Sequence, residues 1–243
     1  EKTGKAMLTL DPGDIGQIRM MMQSAGTWYT DEDGKVNIAG NQGLKDAINT
    51  YKKLVDAGIT ETVSDWDQFV GAFNSGDVAT VPTGCWISPS VLGAEDQSGK
   101  WAIAPFPKMA ENADSVNASS IGGGWYVLKN VGNEDLAKDF LKETFASNVD
   151  LMNQLATDIN LVSTLKAASS AENYSKGVEF YGGQEIFKDF AAWTNEVPTV
   201  NYGENTYEIE DLMTEVVQAI LGGADIDKTL EEYQTQIESV VAN

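Results

Sequence analysis

The chain of 243 residues is strongly acidic, with 37 Asp and Glu against 16 Lys and Arg and a net charge of -21. This charge repels nucleic-acid phosphates and anionic membrane surfaces, so we expect no nucleic-acid partner. A hydrophobic content of 42% suits a globular core. No window approaches the roughly 18 consecutive apolar residues of a membrane span, so this segment is not expected to insert into a membrane.

Two scarce residue types further restrict the kinds of catalytic, metal and ligand sites that the chain can form. The chain has no histidine, which excludes histidine-based catalytic triads and histidine-ligated metal sites. We therefore expect neither a metal nor a cofactor. Arg19 is the one arginine, and bidentate arginine clamps are the usual means of holding anionic ligands, so a neutral ligand is favoured.

The N-terminal third predicts a short strand, a helix and a hairpin. The strand covers residues 8–10, and Asp14 is predicted to cap the helix, because apolar residues follow it at helical spacing. Asp33 and Gly34 predict the turn of a hairpin over residues 26–38. A calcium loop is disfavoured there, because the glycine and the closing glutamate of an EF-hand are not in place.

Helices then alternate with short apolar runs. A helical stripe from Leu44 to Val55 ends at Gly58, and Ser64 is predicted to begin a second helix that ends at Gly76. Three later runs predict strands, at residues 78–82, 101–107 and 120–128. Strands that alternate with helices indicate a layered α/β architecture.

The C-terminal half is predominantly helical in its pattern. Asn133, Asn148 and Asp225 are predicted to cap helices, because each precedes a run of apolar residues at helical spacing. A shorter helix is predicted around 186–190, and a long one is predicted to end at Gly222.

The stretch VPTGCWISP at residues 81–89 places a tryptophan where a strand cannot continue. Pro82 and Gly84 interrupt the run and Pro89 prevents its extension. Trp86 therefore lies either at the surface or against a ligand. The alternative is an ordinary packed tryptophan, the role we assign to the four that the sequence does not single out: Trp28, Trp66, Trp101 and Trp193.

Several segments occur in an order that resembles one known family. They are GKVNIAGNQGLKDAINTYKKLVDAGI, FNSGDVATVPTGCW, WAIAPFPKM, GGGWYVLKNVGNEDLAKDFLKETF and VPTVNYGENTYEIEDLMTEVVQAILGGADIDKTLEEYQTQI. Together they resemble family 1 extracellular solute-binding proteins, the maltose-binding-protein-like sugar receptors of ABC importers. The resemblance covers essentially the whole chain. It implies an α/β fold, a helix-rich lobe of the periplasmic-binding-protein type II kind.

The same resemblance implies a domain organisation. Members of the family are typically longer, so the chain resembles the C-terminal part, with the N-terminal lobe largely missing. Residues 1–125 and 170–243 would form a discontinuous C-terminal lobe, and residues 126–169 would belong to the N-terminal lobe. Phe140, Leu141 and Leu155 would then need another partner to cover them.

In function, the resemblance implies a receptor that performs no catalysis. It would bind a neutral oligosaccharide outside the cell and deliver it to the membrane permease of an ABC importer by lobe closure. The protein would be extracellular or tethered to the bacterial surface as a lipoprotein, or periplasmic in a Gram-negative organism. The alternatives are a carbohydrate-active enzyme such as a glycosidase, which needs two facing carboxylates, and a receptor for another small solute.

Sugar receptors pair aromatic platforms with polar groups, and this chain offers both. The resemblance implies that Trp86 and Trp125 stack on the ligand and that Gly123 lets the backbone approach it. The loop before the penultimate helix adds Tyr202, Glu204 and Tyr207, and Asp14 is a further candidate. Each has a structural alternative: the aromatic rings could pack, and the carboxylates could serve the helix N-termini.

Overall fold

The computed structural model describes residues 4–120 and 124–242. The chain divides into two compact units, each built from separate stretches of sequence. Unit 1 comprises Glu1–Thr83, Pro105–Ile121 and Glu196–Asn243, and unit 2 comprises Gly84–Ala104 and Gly122–Asn195. The predicted lobe boundaries come from the resemblance to longer members of the family. The assignment of residues 126–169 to the N-terminal lobe stays a prediction.

Helices dominate both units. Unit 1 contains α1 (Gly16–Ser24), α2 (Gln42–Asp56), α3 (Trp66–Asn74), α8 (Thr206–Leu221) and α9 (Ile226–Val241). Unit 2 contains α4 (Ser88–Leu92), α5 (Glu134–Glu143), α6 (Val149–Ile159) and α7 (Ile186–Thr194), together with short 3₁₀ turns at Cys85–Ile87, Glu95–Gln97, Lys166–Ser170, Glu172–Ser175 and Glu179–Tyr181. Within residues 4–120 and 124–242, no helix has both the length and the apolar character needed to cross a membrane.

A short parallel sheet lies in unit 1. Strand β1 (Leu8–Leu10) pairs with β2 (Thr60–Thr62), with Leu8 opposite Thr60. A single parallel bridge joins Ala6 to Val78, so the segment after α3 adds one ladder position rather than a strand. The predicted strand at 78–82 is therefore wrong.

The predicted strand at 101–107 is also wrong, for a different reason. The backbone of Ile103 has a side chain as its partner: its N–H donates to Oε1 of Gln184 at 2.8 Å, and its carbonyl accepts from Nε2 of Gln184 at 2.8 Å. One glutamine amide thus takes up both backbone groups of Ile103, and residues 101–107 form no strand. Of the predicted strand at 120–128, residues 121–123 lie outside the described residues, and residues 124–128 form no strand.

The core of unit 1 forms where α1, α2, α8 and α9 meet. Their apolar stripes bury a continuous cluster that includes Ile18, Met22, Leu44, Ile48, Ile209, Met213, Val216, Leu230 and Ile237. The indole of Trp28 and the ring of Tyr29 lie in the same cluster. Burying such large side chains stabilises a fold by about 1.5–3 kcal/mol each.

Side-chain caps fix several helix starts. Asn148 accepts a hydrogen bond from the Leu151 N–H and Asp225 accepts one from the Lys228 N–H, as predicted. The predicted cap at Ser64 is wrong by one residue, because Asp65 caps α3. Asn133 occupies the cap position of α5 without a side-chain cap bond.

Unit 2 has a smaller core, and apolar side chains of α5 are exposed. Tyr174 and Phe187 pack with ring centroids 5.9 Å apart. None of the residues of α5 is buried: Leu136 is 72% exposed and Phe140 60%. Leu141 and Leu155 are half-buried.

Candidate functional site

Tyr202 is the predicted site residue of unit 1 whose ring and hydroxyl both contact other side chains. It lies in the loop immediately before α8, as predicted, and its side chain is 37% exposed. Its ring meets the buried indole of Trp28 edge to face, with centroids 4.8 Å apart. The Trp28 Nε1–H donates to Oγ1 of Thr206 at 2.7 Å, which fixes the indole against the first turn of α8. The result is a partly exposed aromatic ring on a rigid base.

A buried glutamine holds the tyrosine hydroxyl. Nε2 of Gln23, on α1, donates to Oη of Tyr202 at 2.8 Å. Oε1 of the same amide accepts from Oγ of Ser119 at 2.9 Å and from the N–H of Ser120 at 2.6 Å. Burial raises the pKa of Tyr202, and the Gln23 hydrogen bond opposes that rise. All the groups in this network are uncharged at neutral pH.

The loop that carries Tyr202 is tied down on its other side. The hydroxyl of Thr30 donates to the Asn201 carbonyl at 2.5 Å. Gly203 follows with a φ of +67°, and a Cβ there would lie 2.9 Å from Cγ2 of Thr30. Only glycine suits both the backbone conformation and the close approach, so the loop has little freedom.

The remaining predicted residues of unit 1 are less constrained. Glu204 is exposed, and Tyr207, on the first turn of α8, is 75% exposed. Asp14 accepts from the N–H of Gly16 at 2.7 Å, but the cap position of α1 is Ile15, so the predicted cap at Asp14 is wrong. Asp14 instead lies 3.9 Å from Nη2 of Arg19, the one arginine.

Trp86 in unit 2 is exposed, as its sequence context predicts. Its side chain is 57% exposed and extends from the 3₁₀ turn Cys85–Ile87. A Cβ at Gly84 would lie 2.6 Å from Cδ1 of Trp86, so glycine is needed for the indole to fold over the backbone. The indole therefore lies close to the backbone of Gly84 while much of its surface remains accessible.

Trp125 also belongs to unit 2, and its ring contact is with Phe145 rather than with another predicted site residue. The two rings stack at 5.0 Å with an interplanar angle of 18°, and Trp125 is 71% exposed. Gly123 lies outside the described residues. Trp66, assigned a packing role, is 52% exposed instead; it begins α3, and its ring lies against Phe69 with centroids 5.8 Å apart.

Sequence reasoning missed Gln23 and the contact of Trp28 with Tyr202, whereas the packing role predicted for Trp28 is confirmed, because it is 2% exposed in the core of unit 1. Both lie more than 170 residues from Tyr202 in the chain, so no local pattern connects them. One sequence feature could have indicated a role for Gln23: it lies next to the apolar residues of α1, at a position that is 3% exposed in the fold. A buried polar group requires partners.

Other features of the described residues do not contribute to this site. A surface depression of about 530 Å³ beside β1 and β2 is lined by Lys5, Thr60, Glu61 and Asp77 among others, and by none of the predicted site residues. Among residues 4–120 and 124–242, no group of three or more Cys, Asp or Glu side chains is placed to hold a metal ion.

A family model described as bacterial extracellular solute-binding protein matches residues 1–182. The chain belongs to this family. It is 40% identical over 237 residues to a lactose-binding protein of Rhizobium radiobacter, a match that covers 97% of this chain and 56% of that protein. The chain therefore spans little more than half the length of this relative.

Solved structures show the same fold. A sugar-binding protein of Xanthomonas citri superposes with a TM-score of 0.75 at 16% identity, covering 98% of this chain and 59% of that one. The galacto-N-biose/lacto-N-biose I-binding protein of an ABC transporter from Bifidobacterium longum superposes with a TM-score of 0.73 at 23% identity, covering 100% and 60%. These proteins confirm the predicted periplasmic-binding-protein-like fold.

Proposed function

We propose that the protein is a non-catalytic receptor for a neutral oligosaccharide, with lactose as the first candidate. The observation that carries the proposal is the Tyr202 cluster. It offers a partly exposed aromatic ring supported by Trp28, together with a hydroxyl held by Gln23. A sugar presents an apolar C–H face and a rim of hydroxyls, and this pairing of groups complements both.

The charges around the cluster favour an uncharged ligand. The network of Gln23, Ser119, Ser120 and Tyr202 contains no ionised group. Arg19 is already paired with Glu210, with Nη1 and Oε2 2.8 Å apart. The net charge of -21 disfavours an anion further.

The relatives support the choice of sugar. The protein at 40% identity is a lactose-binding protein, and a match at 26% identity over 147 residues is an arabinooligosaccharide-binding protein of Halalkalibacterium halodurans. We propose Trp86, Trp125, Gly123, Asp14, Tyr202, Glu204 and Tyr207 as residues that contact the ligand.

We further propose that the full-length protein works outside the cytoplasm and delivers the sugar to the permease of an ABC importer. Ligand contacts from both lobes would shift the population from an open to a closed form, which the permease would recognise. A ligand that contacted one lobe alone would have no differential affinity for the two forms and would not drive closure.

Isothermal titration calorimetry of the full-length protein with lactose, maltose and galacturonate tests the proposal. We expect saturable binding of a neutral saccharide and none of galacturonate, because an anion finds no free guanidinium at the Tyr202 cluster. Binding of galacturonate in preference to every neutral sugar would contradict it.

The same samples test the enzymatic alternative. Chromatography of lactose after prolonged incubation with the protein should recover the disaccharide unchanged. Release of glucose and galactose would replace the receptor with a glycosidase, which would require a pair of facing carboxylates.

A further inference from the structure

Gln23 is a polar residue in an apolar setting. It lies near the end of α1, where its neighbours Met22 and Ser24 are buried as well, and it is 3% exposed. A side-chain amide that leaves water needs hydrogen bonds on both its oxygen and its nitrogen. The residues that supply them come from two distant segments, around 119–120 and around 202.

The orientation of the amide follows from its partners. The backbone N–H of Ser120 can only donate, so the atom that faces it at 2.6 Å must be the oxygen of Gln23. The hydroxyl of Ser119 donates to the same oxygen at 2.9 Å. The NH₂ group of Gln23 must therefore face Tyr202, where it donates to Oη at 2.8 Å.

This orientation determines what Tyr202 can offer. Because its oxygen accepts from Gln23, its own proton has to point elsewhere. The acceptor within reach among the described residues is the Ser120 carbonyl, at 3.5 Å. That distance is well beyond the usual 2.5–3.0 Å of an O–H···O hydrogen bond. The proton is thus available to a group arriving at the exposed part of the ring.

We propose that Gln23 is a positioning residue that makes Tyr202 a hydrogen-bond donor toward the ligand, so that the sugar must present an oxygen lone pair there. The inference rests on the proposed function for its ligand, a neutral saccharide. Its structural half, the direction of the Gln23–Tyr202 hydrogen bond, holds whether or not a sugar binds.

Gln23→Glu tests, without any ligand, whether residue 23 controls the Tyr202 hydroxyl. The carboxylate still accepts from Ser119 and Ser120, but it cannot donate, so Tyr202 must turn its proton toward residue 23. Loss of the donor and gain of a negative neighbour both raise the pKa of Tyr202. The readout is NMR of protein labelled with ¹³Cζ-tyrosine, titrated with base, with the Tyr202 signal assigned through Tyr202→Phe. A Tyr202 pKa that is unchanged or lower in Gln23→Glu would overturn the proposal.

Gln17→Glu is the matched control. It makes the same change of charge on the same helix, but Gln17 donates to the Thr9 carbonyl at 3.3 Å and does not contact Tyr202. Its Tyr202 signal should titrate as in the unsubstituted protein. Gln23→Met tests the direction itself, because it keeps the length of the side chain and removes the amide without adding charge. Loss of a donor should raise the pKa of Tyr202, whereas loss of an acceptor would lower it. An unchanged value in that variant would equally overturn the proposal.

Binding of lactose, measured at pH 8 by calorimetry in the full-length protein, tests the consequence for the ligand. Tyr202→Phe and Gln23→Glu should each weaken binding by about tenfold, the loss of one hydrogen bond to the ligand. The double variant should bind within about twofold of Tyr202→Phe, because Gln23 acts through the hydroxyl that this variant lacks. Multiplicative losses, or full binding by Gln23→Glu, would contradict the role.

The two tests fail separately. If the unsubstituted protein binds no neutral saccharide, the proposed function fails, while the ligand-free titration still decides the direction of the hydrogen bond. If the sugar binds and the titration of Tyr202 does not respond to residue 23, the proposed function stands and the role of Gln23 falls.

Discussion

Arg19 and Glu210 form the ion pair that joins α1 to α8, with Nη1 of Arg19 2.8 Å from Oε2 of Glu210. Each side chain is only about a fifth exposed, 19% and 21% respectively. Burial raises the pKa of the Glu210 carboxyl, and the guanidinium of Arg19 opposes that rise. The pair connects α1, which carries Gln23, to α8, which begins four residues after Tyr202.

Arg19→Met should therefore lower the free energy of unfolding by about 1–3 kcal/mol, because it leaves the Glu210 carboxylate without its charged partner. Urea denaturation measures this. Adding Glu210→Gln should recover part of the loss, since a neutral amide costs less to bury than an unpaired carboxylate.

Lys188→Ala provides the comparison for that experiment. It breaks the pair between Lys188 and Glu185, whose side chains are 63% and 42% exposed, and it should lower stability much less than Arg19→Met does, because solvent screens exposed charges. Equal losses in the free energy of unfolding for Arg19→Met and Lys188→Ala would show that burial does not strengthen the contribution of the Arg19–Glu210 pair.

Asn41 should be among the most sensitive cap positions. Besides accepting from the Leu44 N–H at 3.0 Å, its buried side chain donates to the carbonyls of Trp28 and Asn37. Asn41→Ala removes the cap and leaves these groups unpaired, so we expect a loss of about 2–4 kcal/mol by thermal or urea denaturation.

The exposed cap Asn148 is the matched control for Asn41. It makes the same bond to a helix N–H, and Asn148→Ala should cost only about 1 kcal/mol. A smaller effect at Asn41 than at Asn148 would contradict the assignment of Asn41 as a buried junction.

Tyr51 makes stability fall at alkaline pH. Burial, with added repulsion from Asp14 and Asp11, raises the pKa of Tyr51 to about 12 in the folded state, against about 10 in an unfolded chain. Between these values the folded state binds the proton more tightly, so stability is lost as pH rises from 10 to 12. This group alone contributes up to about 2–3 kcal/mol to that loss.

Tyr51→Phe should therefore flatten the dependence of unfolding free energy on pH above 10, measured by urea denaturation at successive pH values. Tyr126→Phe is the matched control, because it removes the same hydroxyl from a side chain that is 86% exposed. An identical slope for Tyr51→Phe and the unsubstituted protein would refute the assignment.

Trp86 and Trp66 allow a comparison of two tryptophans of similar exposure. Trp86, a proposed platform, is 57% exposed, and Trp66 is 52% exposed at the start of α3. Trp86→Ala should weaken lactose binding by about tenfold or more without unfolding the protein, because a stacking face is lost. Trp66→Ala should leave affinity within about twofold. Similar affinities for both variants would remove Trp86 from the site.

The helices were predictable from the sequence because their signals are local. The stripe from Leu44 to Val55 and the cap at Asp225 each lie within one element, and the structure forms a helix at both places. The strands were less predictable because a strand needs a distant partner. At Ile103 that partner is the side chain of Gln184, 81 residues away, which no periodicity reveals.

In the candidate site too, features set by neighbouring residues were predictable and contacts between distant segments were not. The position of Tyr202 before α8 and the exposure of Trp86 followed from neighbouring residues. The contacts of Tyr202 with Gln23 and Trp28 depend on how α1 packs near the start of α8, so they became visible only in the fold.

Calorimetric titration of lactose into the full-length protein and into Tyr202→Ala tests most directly whether the sugar binds at the Tyr202 ring. Tyr233→Ala, on α9, is the control. Loss of the Tyr202 ring and hydroxyl should weaken binding by about tenfold or more, while Tyr233→Ala should bind as the unsubstituted protein does. Undiminished affinity in a folded Tyr202→Ala protein would contradict the claim that a neutral saccharide binds at this ring.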